Sequence, residues 1–151
     1  MHKGKVYLIP VALAEDGLDA LPAYIKTAVA SCSVFFVENE RSARRFLKSI
    51  WKEMVIDDYT WYTIQPDGQE TAHAFRNEIR AGRTVGIMSE AGCPGVADPG
   101  QALVAIAQEE EASVHPLTGP SSILLALMAS GMNGQQFRFV GYLPIDPKQR
   151  L

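Results

Sequence analysis

Chemistry in this chain concentrates where glycines and prolines interrupt apolar runs. Ser89-Glu90-Ala91-Gly92-Cys93-Pro94-Gly95-Val96-Ala97-Asp98-Pro99-Gly100 follows the apolar run Val85-Gly86-Ile87-Met88 and holds two proline-glycine turns. Glycines let backbone approach a bound molecule closely, and prolines fix the shape of a loop before anything binds. A strand-to-loop junction of this kind is where an open α/β sheet receives its ligand. A plainer reading holds alongside it: Asp98, followed by Pro99 and the apolar Gln101-Ala102-Leu103-Val104, has the pattern of an N-cap with proline at N1.

Four carboxylates, Glu38, Glu40, Glu90 and Asp98, fall near expected carboxyl ends of strands and are the acid-base candidates. Glu38 and Glu40 also stand beside arginines that would pair with them. Thr118-Gly119-Pro120-Ser121-Ser122 opens a second apolar segment, and exposed N–H groups at such a helix start attract a carboxylate or phosphate; a simple cap is the alternative. Arg41, Arg44, Arg45, Lys48 and Lys52 recur at spacings that stack them along one side of a helix. That side suits phosphates, and a solvated helix face is the other meaning of such a run. Trp51, Trp61 and Tyr62 flank it, either to stack on bases or to join the core.

The elements that must position these groups are short β-prone runs separated by helical patterns. Val6 to Ile9, Val34 to Val37, Tyr62 to Ile64, Val85 to Met88 and Val114 to Leu117 read as strands. Leu18, Leu21, Ile25 and Ala28 share one helical face, as do Ala43, Phe46, Leu47 and Ile50, then Ala72, Phe75 and Ile79 with Gly82 as a stop. The alternation predicts an α/β fold with a mainly parallel sheet and flanking helices. Residues 1–115 form its N-terminal domain. Pro116 to Pro120 reads as a hinge, and 121–151 as the beginning of a second α/β domain that the sequence leaves incomplete. In that part, Ser121 to Ser130 predicts a helix buried on most sides that stops at Gly131, and Phe137 to Tyr142 an alternating strand.

Composition narrows the function classes. An apolar content of 47% in 151 residues supports a real core, and the longest apolar stretch, Val6 to Ala14, is too short to span a bilayer. With no secretory pattern at the N-terminus, the expectation is a cytoplasmic protein. Cys32 and Cys93 make no disulfide framework, and His2, His73 and His115 are too scattered for a metal site, so none is expected. The net charge of −3 argues against bulk attraction to nucleic acid and leaves only a local basic face. There is no P-loop lysine motif, no glycine triplet after the first strand and no nucleophile elbow.

Four ordered stretches carry a resemblance. The Ser89 to Gly100 loop is similar to the S-D-A-G-T-P-x-x-S-D-P-G loop of the tetrapyrrole methylase superfamily, within its ribosomal RNA small-subunit methyltransferase I group, with Glu90, Cys93 and Ala97 departing. Phe36 to Leu47 resembles that group's A-E-D-T-R-x-T-R-R-L-L, Pro116 to Ser122 its P-x-P-G-P-S-A, and Phe137 to Pro144 its F-x-F-x-G-F-L-P. Ile9-Pro10-Val11-Ala12-Leu13 departs from the group's T-P-I-G-N-L, and Glu38-Asn39-Glu40-Arg41 from its E-D-T-R. The resemblance implies a two-domain homodimeric methyltransferase that binds S-adenosylmethionine in the cleft between domains. It places cofactor contacts on Leu13, Gly92, Cys93, Pro94, Gly95, Val96, Ser121 and Ser122. With RNA as acceptor, methylated on a ribose 2′-hydroxyl, Glu38 or Asp98 is the candidate base, and the Arg41 to Lys52 face the candidate RNA contact. A tetrapyrrole C-methyltransferase, or a cofactor-binding or dimerisation module without turnover, stands as the alternative.

Overall fold

The computed structural model describes residues 4–65, 68–97, 99–142, 144–146 and 148. Its main element is a parallel sheet of five strands among the described residues: β1 (Lys5–Leu8), β2 (Val34–Val37), β3 (Thr60–Thr63), β4 (Thr84–Met88) and β5 (Ser113–Pro116), in the order β3-β2-β4-β1-β5. The order follows from composition. Val34, Phe35, Phe36 and Val37 of β2 are all fully buried, as a strand covered on both faces requires, while β3 and β5 carry polar residues to the two edges.

Alternation along each strand separates two apolar layers. Val6, Val34, Phe36, Val85 and Ile87 meet α3 (Gln69–Arg80) and α4 (Gln101–Glu109). Ile9, Phe35, Val37 and Met88 meet α1 (Ile25–Ser31) and α2 (Glu40–Ile50). Gly86 of β4 leaves room for Phe35: a Cβ there would stand 2.7 Å from the Phe35 ring and 2.8 Å from Ile9 Cδ1. Connections from β1 and β4 therefore leave on opposite faces and in opposite directions, and the adjacent carboxyl ends of these two strands form the switch point of the sheet.

Salt links join α3 to α4. Arg80 Nε and Nη2 donate to Glu110 at 2.9 Å each, Arg76 Nη2 to Glu109 at 2.9 Å, and Arg76 Nη1 to Glu110 as well. The hydrogen bonds from Arg80 and Arg76 hold the Glu110 carboxyl down to about 2, from an ordinary 4.5. A carboxylate with a lowered native pKa contributes stability at pH values above 4.5, and this is lost as pH falls toward 2. Urea midpoints across that window should fall for the native chain, and fall less steeply for Glu110→Gln, which starts from a lower midpoint at neutral pH.

The structure differs from the sequence expectation at five places. Leu18 and Leu21 do not share a helix with Ile25 and Ala28; Leu18–Ala20 is a single 3-10 turn, and Pro22 interrupts the chain before α1 begins at Ile25. Helix α4 starts at Gln101 with Gly100, at a φ of 119°, as its N-cap, so Pro99 is not at N1; Asp98 lies outside the described residues. Lys52 lies beyond the end of α2, off the helix face on which it was expected.

The other two differences fall in the second of two compact units, Met1–Ser121 and Ser122–Leu151. Helix α5 (Ser122–Ala129) has no buried residue, with Leu124 and Leu125 about half exposed and Met128 77% exposed. Phe137 to Tyr142 forms no strand. An apolar run becomes a buried helix or a paired strand only where other elements cover it, and among the described residues α5 stays exposed and the sheet takes in no strand from 137–142. The turn after α5 does carry Gly131 at a φ of 69°.

Candidate functional site

Three loops meet at the carboxyl edge of the first unit. After β1 the chain forms an antiparallel bridge to the loop after β4, with Val11 N–H donating to Gly92 O and Gly92 N–H to Val11 O, both at 2.9 Å. Gly92 has a φ of 70°, and a Cβ on it would reach Leu13 Cδ2 at 3.4 Å and Pro120 O at 3.6 Å. From the loop after β5, Gly119 packs directly on Pro10, where an added Cβ would lie 2.1 Å from the proline Cβ. Cys93 Sγ stands 3.4 Å from Pro120 O and 3.7 Å from Gly119 O, and the Tyr24 hydroxyl accepts from Thr118 N–H at 2.8 Å.

The loop after β4 is a preformed turn. Val96 N–H donates to Cys93 O across Pro94-Gly95, with Gly95 at a φ of 83°. Ala97 has a φ of 57°, a conformation costing about 1 kcal/mol or more for a residue with a side chain. Among the described residues nothing lies within 4 Å of a Cβ built on Gly95, so backbone there faces open space.

Polar side chains tie the loop after β2 to the loop after β4. Glu38 Oε2 accepts from Glu90 N–H at 2.9 Å, and Ser42 Oγ donates to Glu90 Oε1 at 3.1 Å. Ser42 is itself held at the start of α2, its N–H donating to the capping Asn39 Oδ1 at 3.1 Å. Ser89, almost fully buried, donates to Ala91 O at 3.1 Å.

Two cavities open beside these loops. One of about 470 Å³ has an apolar side of Val11, Leu13, Leu18, Ala43 and Phe46, and polar groups from Glu15, Ser42, Arg45, Ser89 and Glu90. A second, of about 750 Å³, lies between the ends of β2 and β3 and the start of α4, and includes Glu38, Thr71, Gly100 and Gln101. Both fall in the size range of small-molecule sites.

The expected site residues are thus distributed. Leu13 and Gly92 to Val96 come together in one loop assembly. Ser121 ends the first unit and Ser122 begins the second. Glu38 adjoins the larger cavity and serves as an acceptor for the Glu90 backbone, while Asp98 lies outside the described residues. Cys32 is buried with its thiol pushed up to about 12, so it holds its proton.

The five basic residues do not act as one stripe. The Arg44 guanidinium lies over the Trp61 ring at 5.1 Å and pairs with Glu40 at 3.2 Å. Lys48 Nζ turns onto the carbonyls of Lys52 and Met54 beyond the end of α2. Arg45 alone of the five borders the 470 Å³ cavity. Trp61 and Tyr62 stack on Phe35 and Phe36 at 4.9 and 4.7 Å, so both belong to the packed layers. The sequence assigns none of Glu15, Ser42 and Tyr24 to the site and places Phe46 only on the apolar face of a helix. For Ser42 the local signal is that of a helix cap, Asn39-x-x-Ser42; Ser42 and Glu90 are 48 residues apart.

Comparison with known proteins agrees with this architecture. The family model of the tetrapyrrole (corrin/porphyrin) methylases matches residues 6–143. A ribosomal RNA small subunit methyltransferase I from Halalkalibacterium halodurans is 40% identical over 150 residues, covering 98% of this chain and 49% of the relative. The protein of the same name from Synechocystis sp. is 38% identical, with 98% and 52% covered, and that from Micromonospora olivasterospora 31% identical, with 93% and 43% covered. The chain spans about half the length of these curated relatives. With a five-stranded parallel sheet whose β1, β4 and β5 loops converge, and a family match across nearly its whole length, the chain belongs to the tetrapyrrole (corrin/porphyrin) methylase family.

Proposed function

We propose that this chain belongs to an S-adenosylmethionine-dependent methyltransferase that acts on RNA, at a ribose 2′-hydroxyl of ribosomal RNA, as a cytoplasmic homodimer. Residues 1–115 are its first domain and 116–120 the hinge to the second. The observation that carries the reading is the convergence of the β1, β4 and β5 loops at the switch point, clipped by the Val11–Gly92 bridge. The names of the curated relatives support the acceptor class.

Leu13, Gly92, Cys93, Pro94, Gly95, Val96, Ser121 and Ser122 would hold the cofactor. The open space at Gly95 and the left-handed φ of Gly92 and Gly95 suit a ligand laid close against backbone. When bound, it supplies an electrophilic methyl group to the acceptor oxygen. This chain's own residues then contribute mainly position, which in favourable intramolecular cases is worth up to about 7–11 kcal/mol of barrier. Glu38 fixes the loop after β4 through the Glu90 N–H, and with Asp98 is the candidate to orient or deprotonate the acceptor hydroxyl.

Titrating the chain with S-adenosylmethionine in a calorimeter should give a saturable heat. Labelled methyl groups should then pass to small-subunit ribosomal RNA and not to uroporphyrinogen. Transfer to uroporphyrinogen would establish the tetrapyrrole reading instead; cofactor binding without transfer to either would leave a binding module, and the absence of both would overturn the proposal.

A further inference from the structure

The 470 Å³ cavity carries a charge arrangement that the proposed reaction leaves unassigned. Its single cation is Arg45, and Glu15 and Glu90 supply two carboxylates. Its remaining lining is apolar apart from Ser42 and Ser89, with the Phe46 ring among the apolar groups. Arg44 and Lys48, the neighbouring cations on α2, are turned to Trp61 and Glu40 and to the carbonyls beyond the helix. Arg45 has no such engagement among the described residues, and it is an exposed residue.

We infer that this cavity seats one nucleotide of the acceptor RNA, with Arg45 pairing with its phosphate and the carboxylates of Glu15 and Glu90 facing its neutral hydrogen-bond donors. The inference rests on the methyltransferase reading above and names the specificity-determining groups of that same site. Charge balance decides the ligand class. A tetrapyrrole brings many carboxylates into a cavity that already holds two against one guanidinium, and the excess negative charge repels it. A nucleotide brings one anion, which a planar guanidinium grips in two-point geometry. It also brings hydroxyl and amino donors, which carboxylates accept, and a flat base that packs on an aromatic ring. Glu90 is already held in place by Ser42 and by the Glu38 contact to its backbone, so its carboxylate is pre-positioned.

The test measures binding of a short fluorescently labelled single-stranded RNA to the full chain by anisotropy, over a range of salt, beside cofactor calorimetry. Arg45→Gln should weaken RNA binding by about tenfold at low salt and lower the slope of log affinity against log salt by about one. Arg45→Lys should keep the slope and lose part of the affinity. Arg83→Gln, whose side chain pairs with Glu78 at the amino end of β4, should change neither. Cofactor heat should be the same in all four proteins. RNA binding by Arg45→Gln equal to that of the parent would sink the inference, as would a parent that binds no RNA. A loss of cofactor heat in Arg45→Gln would move the residue to the donor site, and displacement of RNA by uroporphyrinogen through Arg45 would reverse the ligand choice. A parent that binds RNA through Arg45 yet takes up no cofactor would overturn only the methyltransferase reading.

Discussion

Replacing Phe36 with alanine should lower the stability of the chain by about 3–5 kcal/mol, the usual cost of removing a buried aromatic ring. Phe36 is fully buried at the centre of β2, stacked on Tyr62 at 4.7 Å and edge-on to Phe75 at 5.1 Å. It therefore joins an edge strand, a central strand and α3 in one contact. Truncation leaves a cavity where sheet and helix meet, and rigid strands on both sides of β2 restrict collapse into it. Domains are stable by only about 5–15 kcal/mol, so the loss is a large fraction of the total. Urea denaturation followed by the fluorescence of Trp51 and Trp61 should show a lower midpoint with an unchanged slope. A midpoint equal to that of the parent would mean that the layer between β2 and α3 contributes little to holding this sheet together.

Gly119→Ala should act mainly on the site. Its added carbon would lie 2.1 Å from Pro10 Cβ and 2.5 Å from Cγ, and neither partner is the end of a flexible side chain. The loop after β5 must therefore move away from the loop after β1. Overpacking of this kind costs about 1–3 kcal/mol. The same displacement draws Gly119 and Pro120 away from Cys93 and opens the assembly that the Val11–Gly92 bridge holds. Cofactor affinity should fall by about tenfold or more, equivalent to about 1.4 kcal/mol or above. Paired calorimetry and urea titration separate the two effects. A variant with a lowered midpoint and an undiminished cofactor heat would show that the β5 loop is not a wall of the cofactor site.

Much of the scaffold was readable residue by residue because its signals are local. Val34-Phe35-Phe36-Val37 reads as a buried strand from composition alone, and Ala43, Phe46, Leu47 and Ile50 show the helical face that packs on it. Pro22 is equally local: it breaks the periodic pattern of Leu18, Leu21 and Ile25, and α1 begins only at Ile25. Helix α5 failed for a different reason. Its apolar residues state a preference for burial, but burial depends on a surface to pack against, which lies outside the helix's own sequence.

By itself, then, the sequence determined the parallel α/β architecture, the family motifs and the glycine and proline positions that shape the loop after β4, since each depends on backbone preferences acting over a few residues. Tertiary structure alone decided which groups meet. It brought Gly119 onto Pro10, Val11 onto Gly92 and Ser42 onto Glu90, contacts between residues far apart in the chain. It also divided a uniform basic run by function: Arg44 and Lys48 satisfy an aromatic ring, a carboxylate and carbonyls of the scaffold, and Arg45 faces the cavity. Spacing along a helix fixes the direction in which a side chain leaves the backbone, whereas its charge is committed by whatever the rest of the fold places beside it.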